Sequence, residues 1–338
     1  MSTECVLILH NVPTPTTAAA GGWQESDAGV LKEVRAIADA LDDLGLQHRE
    51  AGIRSLAELT GVLAAGREAV VFNLVERLDG DECDFNLVPA VCRASGRPCT
   101  GSDTPALSLT FDKWLSKLRL RDSGLAVPDA VLWSPGAPPP AMPGPPLIVK
   151  PVRADGSEGI GPDSIFISAD TDAVRRAAER IHELFRQPAL VERYIEGREL
   201  NVSVMERDGA PVVLPISEID FSLFPPELPH IVDYAIKWHP GTLGGIVSPR
   251  RVPAPLDDDT RHDVEDAART AWRTVGCRDY ARIDFRLPPG GQPYVLEVNA
   301  NPDLSPLAGF PASLKAAGIM FPAFVATILG NAYNRGTR

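Results

Sequence analysis

Apolar and polar positions along the chain follow two rhythms that change at recognisable break points. Val6 to Leu9 is an unbroken apolar run of strand length. From Val30 to Leu44 the apolar residues Val30, Val34, Ile37, Leu41 and Leu44 recur at helical spacing, with Asp27 as a cap and Gly45 as a stop. Ala69 to Leu74 is a second strand-length run, so the opening part reads as a parallel strand–helix–strand unit. Thr100-Gly101-Ser102 is a turn and a candidate boundary. The proline-rich stretch 134–146 reads as a stiff surface loop, followed at once by L-I-V-K-P, a strand ending in lysine. Thr171 to Arg186 is a second amphipathic helix, stopped by Pro188, and Asp257 to Gly276 a third. Strand-like stretches lie at 189–195, 199–206 and 211–216, with Arg-Asp-Gly as a hairpin turn, then at Tyr280–Leu287 and Tyr294–Val298. The fold class expected is α/β, turning to α+β in the C-terminal half.

The last two strands carry the first chemical signal. Side chains alternate along a strand, so Arg282 and Asp284 share one face, as do Glu297 and Asn299 opposite Leu296 and Val298. A turn over residues 289 to 292 would pair Pro288 with residues 292–293, set Asp284 across from Glu297, and set Arg282 across from Asn299. Directly opposed carboxylates cost up to ~1 kcal/mol in a sheet, so the pair wants a cation. Carboxylates with an amide oxygen suit Mg²⁺. A solvated sheet face with Arg282 offsetting the charge explains the pattern equally well.

Composition narrows the classes. The 338 residues allow two or three sub-domains, and a net charge of −12 argues against a nucleic-acid or anionic-membrane surface. The five cysteines are scattered with no C-x-x-C pair, which argues against zinc and a disulfide framework and fits a reducing compartment. No stretch reaches the ~18 apolar residues of a membrane span, and a cytoplasmic location is expected. No histidine pair stands at metal-binding spacing and no Ser or Cys sits in a nucleophile elbow, so covalent hydrolase chemistry has little support.

K-P-V-R-A-D-G-S-E-G-I (150–160) puts Lys150 at a strand end before a glycine-bearing loop whose backbone could approach phosphate oxygens. A plain hairpin loop is the commoner explanation of such a stretch. L-V-E-R-Y-I-E-G-R-E-L (190–200) ends a strand with Glu192 and Glu199, which read either as nucleotide contacts or as a charged loop. Lys113, in D-K-W-L-S-K, reads by itself as a helix-surface lysine.

Taken in order, P-C-T-G-S, D-K-W-L-S-K, K-P-V-R-A-D-G-S-E-G-I, V-E-R-Y-I-E-G-R-E, D-Y-A-I-K-W, A-R-I-D-F and L-E-V-N-A-N-P resemble the ATP-grasp superfamily, in its D-alanine–D-alanine ligase-like branch. The resemblance implies three domains: an N-terminal α/β domain (1–103), a central ATP-grasp domain (104–189) and a C-terminal ATP-grasp domain (190–338). It implies that Lys113 and Lys150 hold ATP phosphates, and that Ser157 and Gly159 belong to a loop covering them. Glu192, with the backbone around Tyr194 and Ile195, would bind adenine, and Glu199 the ribose. Lys237 would reach the γ-phosphate and Arg282 would stabilise charge during acyl transfer. Asp284, Glu297 and Asn299 would bind Mg²⁺, with two ions expected and Mn²⁺ able to substitute. The implied chemistry runs in two steps: a carboxylate attacks the γ-phosphate to give an acyl phosphate, and an amine then displaces phosphate. Small-molecule carboxylate and amine partners follow, with a homodimer by analogy.

Departures from the family fall on substrate positions. Only Glu25 or Asp27, in A-G-G-W-Q-E-S-D, could grip the first amino group. The serine and tyrosine to which the family's glutamate is linked are replaced by Gly156 and Trp238, so that hydroxyl linkage cannot be rebuilt as it stands. Asp303 stands where the family has glycine, and the serine near the acceptor carboxylate is lost near Ala308. This split favours a carboxylate–amine ligase of specialised metabolism, with an authentic D-alanine–D-alanine ligase as the alternative. An ATP-grasp phosphotransferase and a non-catalytic ATP-binding protein follow behind.

Overall fold

The computed structural model describes residues 5–13, 28–168, 170–225, 228–238 and 249–336. Glu25 and Asp27, and with them the expected helix cap, lie outside these residues.

The first sheet is parallel, in the order β2-β1-β3, from β1 (Val6–Asn11), β2 (His48–Ile53) and β3 (Val70–Leu74). Helix α1 (Val30–Asp43) joins β1 to β2, and α2 (Leu56–Ala65) joins β2 to β3. Val6 and Ile8 pack towards α1 while Leu7 and Leu9 pack towards α2, which is why β1 is apolar without alternation. Gly45 takes φ +67° just beyond α1, as the stop signal requires. Strand β2 had no apolar signal: H-R-E-A-G-I pairs only with β1 at the sheet edge and fully buries only Ile53.

Helices α3 (Val88–Ala94), α4 (Thr104–Phe111) and α5 (Lys113–Asp122) follow. Asp112 caps α5 by accepting from the Leu115 N–H at 2.9 Å. The second sheet is antiparallel, in the order β4-β7-β5-β6, from β4 (Ala130–Trp133), β5 (Leu147–Pro151), β6 (Ile165–Phe166) and β7 (Ala189–Arg193). Helix α6 (Thr171–Phe185) covers one face through Val174, Ala177, Ala178 and Ile181, against Leu147, Val149, Ala189 and Val191. The helix stops at Arg186 in the left-handed region, two residues before the expected breaker Pro188. Alternation turns Ile148, Lys150, Leu190 and Glu192 to the opposite face. Since β7 pairs with β4 and β5, a division at 189/190 would part Ala189 from the strand it begins.

The third sheet holds β8 (Arg198–Arg207), β9 (Ala210–Val213), β10 (Ser217–Ile219), β11 (Arg250–Arg251), β12 (Tyr280–Leu287) and β13 (Tyr294–Asn299), in the order β11-β10-β8-β12-β13 with β9 beside β8. The short helix α7 (Tyr234–Trp238) precedes β11. Helix α8 (Asp258–Val275) is capped by Asp257 and closed by Gly276. It packs Val264, Ala268, Ala271 and Trp272 onto Val202, Val204, Ile283 and Phe285. The other face of the same strands is polar. Asn201 lies beside Asp284, Ser203 beside Arg282, and Glu199 beside Arg286.

The β12–β13 register places Asp284 opposite Glu297 and Arg282 opposite Asn299, as the alternation anticipates. Nearer the turn the pairing differs from expectation. Arg286 meets Tyr294 and Phe285 meets Val295, and a bulge restores the register at Glu297. The bulge puts Val295 in the core and leaves Leu296 lining the cavity beside Glu297, rather than opposite it. Helices α9 (Gly309–Ala316) and α10 (Phe321–Gly336) complete the chain. Phe310, Leu314, Phe324, Val325, Ile328 and Leu329 join the core over the first sheet.

Candidate active site

The polar faces of the second and third sheets enclose a cavity of ≈ 620 Å³. Lys150, from the end of β5, reaches Glu192 Oε1 at 3.2 Å. Lys117, one turn after Lys113 on α5, reaches Glu192 Oε2 at 2.9 Å and donates to Leu296 O at 3.0 Å. Glu192 is 2% exposed with both oxygens against lysines, so its carboxylate serves as their counter-ion and not as an open adenine contact. Burial raises its pKa, but Lys117 and Lys150 more than offset that and hold it below the usual range. Burial pushes Lys117 down to about 8 despite Glu192.

Beyond this knot lie Tyr194 and Ile195. The Tyr194 N–H donates to Pro146 O at 2.8 Å, so hydrogen bonds from this segment to a ligand must come from other backbone groups. Glu199 pairs with Arg286 Nη2 at 2.8 Å, and the Arg286 guanidinium stacks over Tyr194 and Phe221.

Lys113 overturns its plain surface reading. It is 7% exposed, donates to Ala154 O at 2.6 Å and pairs with Glu297 Oε2 at 3.3 Å. The loop 154–160 therefore touches the metal-type carboxylates through one ammonium. Gly159 sits at φ +75°, and a Cβ there would lie 2.7 Å from the Phe185 ring, so only glycine fits. The Ser157 hydroxyl donates to Val232 O at 2.8 Å, and buried Glu158 takes Arg77 on both oxygens. Trp238 Nε1 donates to Gly156 O at 2.9 Å. The two positions that lack the hydroxyls are thus joined directly, by indole N–H to backbone carbonyl, while the glutamate end of the family's linkage falls on Glu25 or Asp27, outside the described residues.

At the centre, Arg282 forks onto Asp284 at 2.8 and 2.7 Å, and Asn201 Nδ2 adds a bond at 2.8 Å. Asn299 Nδ2 lies 3.4 Å from Asp284 and 3.3 Å from Glu297. Two carboxylates and an amide on one face are hard oxygen donors, and the amide turned over would present its oxygen; the set fits Mg²⁺. Burial opposes ionisation of Glu297, but Lys113, Lys150 and Arg282 bring its pKa down to about 2. Lys237, on α7, lines the same cavity, its pKa lowered by burial and then by Arg282.

The far end is acidic. Glu33, 4% exposed on α1, accepts the Leu304 N–H at 2.8 Å, and Glu76 and Asp303 stand near it. Burial, then Asp303 and Asp155, push Glu76 up to about 8 from 4.5. Folded Glu76 therefore keeps its proton where unfolded glutamate has lost it. Stability falls as pH rises from about 4.5 to about 8, and the penalty is complete above that window. Glu76→Gln is expected to be more stable than wild type by a few kcal/mol, on the order of 2–4, at pH 9 and indistinguishable at pH 4.5. Urea midpoints at the two pH values check this, and an equal gap at both would refute the assignment.

Several site residues escaped the motif reading. Lys117 and Arg286 were legible in principle, from i,i+4 spacing to Lys113 and from strand alternation with Arg282 and Asp284. Asn201 follows Glu199 by the same alternation. Glu33, Glu76 and Arg77 carry no local signal, because only the packing of the first sheet brings them to the cavity.

A family model described as D-ala D-ala ligase C-terminus matches residues 141–330. An uncharacterised protein of Sinorhizobium fredii (strain NBRC 101917 / NGR234) is 32% identical over 271 residues, covering 80% of this chain and 76% of that protein. A D-alanine–D-alanine ligase of Nitratidesulfovibrio vulgaris (strain DP4) is 30% identical over 322 residues, 92% and 95% of the two chains. The crystal structure of the Bacillus anthracis D-alanine–D-alanine ligase complexed with ATP superposes with a TM-score of 0.75 at 20% identity, covering 99% of both chains. The fold is the ATP-grasp fold of that structure. With its family match spanning more than half its length, the chain belongs to the D-Ala–D-Ala ligase family of ATP-grasp proteins, ATP-dependent ligases that form carbon–nitrogen bonds.

Proposed function

We propose that this protein joins two amino acids through an acyl phosphate, as a D-alanine–D-alanine ligase. The observation that carries the reading is the meeting of Lys150, Lys237, Arg282, Asp284 and Glu297 at one cavity, with the loop 154–160 bridged to Glu297 by Lys113. The names of the relatives favour D-alanine over the specialised-metabolite role that the altered substrate positions suggested.

In this mechanism Lys113 and Lys150 neutralise ATP phosphates under the loop bearing Ser157 and Gly159. Tyr194 and Ile195 flank the adenine and Glu199 the ribose. Glu192 holds Lys117 and Lys150 in place. Asp284, Glu297 and Asn299 would hold Mg²⁺, which supplies charge neutralisation to the phosphoryl oxygens. One substrate carboxylate attacks the γ-phosphorus, ADP leaves, and Lys237 meets the transferred group. The second substrate's amine attacks the acyl carbon, with Arg282 stabilising the oxyanion until phosphate departs. No protein nucleophile is required. Trp238 and Asp303 border the substrate end, and Glu25 and Asp27 precede α1 in sequence.

A second reading keeps the chemistry and changes the first substrate. It is favoured by Glu33 and Glu76, whose carboxyls, held towards the protonated form beside Asp303, give that end groups able to hydrogen-bond a polar side chain.

Purified protein with ATP, Mg²⁺ and D-alanine is expected to release ADP and phosphate and yield D-alanyl-D-alanine by mass spectrometry, with activity abolished by EDTA. Dipeptide only from other amino acids would move the assignment to the second reading. ADP without free phosphate would make it a phosphotransferase.

A further inference from the structure

Strand β11 consists of two consecutive arginines with different fates. Arg251 pairs with Asp220 at 2.5 Å. Alternation sends Arg250 to the opposite face, where it lines the cavity at its open rim. There Nη1 donates to Leu307 O at 3.3 Å, and no described carboxylate lies within ion-pair distance. The acids that act on it from further off are engaged elsewhere. Asp284 is held by Arg282, Glu199 by Arg286, and Asp303 accepts the Ser305 N–H.

The Arg250 guanidinium also crosses the first residue of α9. A Cβ on Gly309 would lie 3.4 Å from its Nε, so glycine there lets the group settle against the helix start. Ala308 caps α9 with no side-chain hydrogen bond, and both Ala308 and Gly309 line the cavity. The opposite wall, with Glu33, Glu76 and Asp303, offers a carboxylate no cation. Residues 14–27 and 239–248 contain no Lys or Arg, so the sequence places no permanently charged rival in either stretch.

Resting on the ligase reading above, we propose that Arg250 anchors the carboxylate of the acceptor amino acid against the start of α9. It takes over near Ala308 the part that a serine plays in the resembling enzymes. Arg282 and Lys237 stay with the phosphoryl and acyl groups. Arg250 is then a specificity residue, selecting an acceptor with a free carboxylate beside its amine.

The test compares D-alanine with D-alaninamide as acceptor, D-alanine being the donor, in wild type and in Arg250→Ala and Arg250→Lys. Arg250→Ala is expected to raise the acceptor KM for D-alanine about 10–100-fold, the worth of one charge-assisted pair. The KM for ATP and the rate with the amide change less than about twofold, and Arg250→Lys recovers part of the loss. If the screen finds a different acceptor, that amino acid and its amide replace D-alanine. An unchanged acceptor KM, or equal losses for acid and amide, overturns the proposal and leaves the ligase reading standing. Wild-type protein that makes no amide bond with any amino acid overturns both.

Discussion

Replacing Arg282 with methionine is expected to lower kcat about 10²–10³-fold, the usual cost of removing one donor from a developing oxyanion. A second effect arises in the resting protein. The guanidinium makes two parallel bonds to Asp284, whose side chain is 9% exposed. Removing it leaves a buried carboxylate with only the Asn201 and Asn299 amides, at a cost of about 3–5 kcal/mol. Burial alone would weaken the Arg282 charge, yet Asp284 more than restores it. Arg282→Lys keeps the charge and loses the fork, so it is expected to recover more stability than rate. Single-turnover rates with thermal unfolding separate the two effects, and a methionine variant with unaltered kcat removes Arg282 from the chemistry.

The second large effect belongs to Glu192. Glu192→Gln leaves Lys117, 2% exposed, and Lys150, 8% exposed, facing each other across a neutral amide. The expected loss is about 3–5 kcal/mol, a fall in Tm of about 4–7 °C, with weaker ATP binding because both lysines relax. Lys117→Met is expected to cost less, since Glu192 keeps Lys150 and the methionine fills the same space. Calorimetry on the two variants orders them. A Glu192→Gln protein as stable as wild type would show that the carboxylate is not the counter-ion described above.

Much of this site was written in local pattern. Alternation with a turn over 289–292 placed Arg282, Asp284, Glu297 and Asn299 on one face, and the helical stretches at α1, α6 and α8 end within a residue or two of the stops read from sequence. Local pattern failed where long-range packing decides. The bulge that turns Leu296 towards the cavity depends on pairing between distant strands. Edge strand β2 needs no apolar face, so it emits no signal. Trp238 and Gly156, 82 positions apart, lose two hydroxyls by sequence and regain one hydrogen bond by geometry. Glu76 follows an ordinary apolar run, and nothing near it announces that it borders a cavity.

The last helix has a consequence for how the molecule is made. Phe324, Val325, Ile328 and Leu329 of α10 complete the core that begins with Val6 and Ile8, and Arg335 locks onto Asp279 and the Cys99 carbonyl. During synthesis the first sheet therefore emerges more than two hundred residues before its cover does. Until then the face of β1 and β3 that α1 covers in part lacks the rest of its cover, open to chaperones or to self-association. The central and third sheets are complete earlier, so the first strands translated belong to the last unit to close.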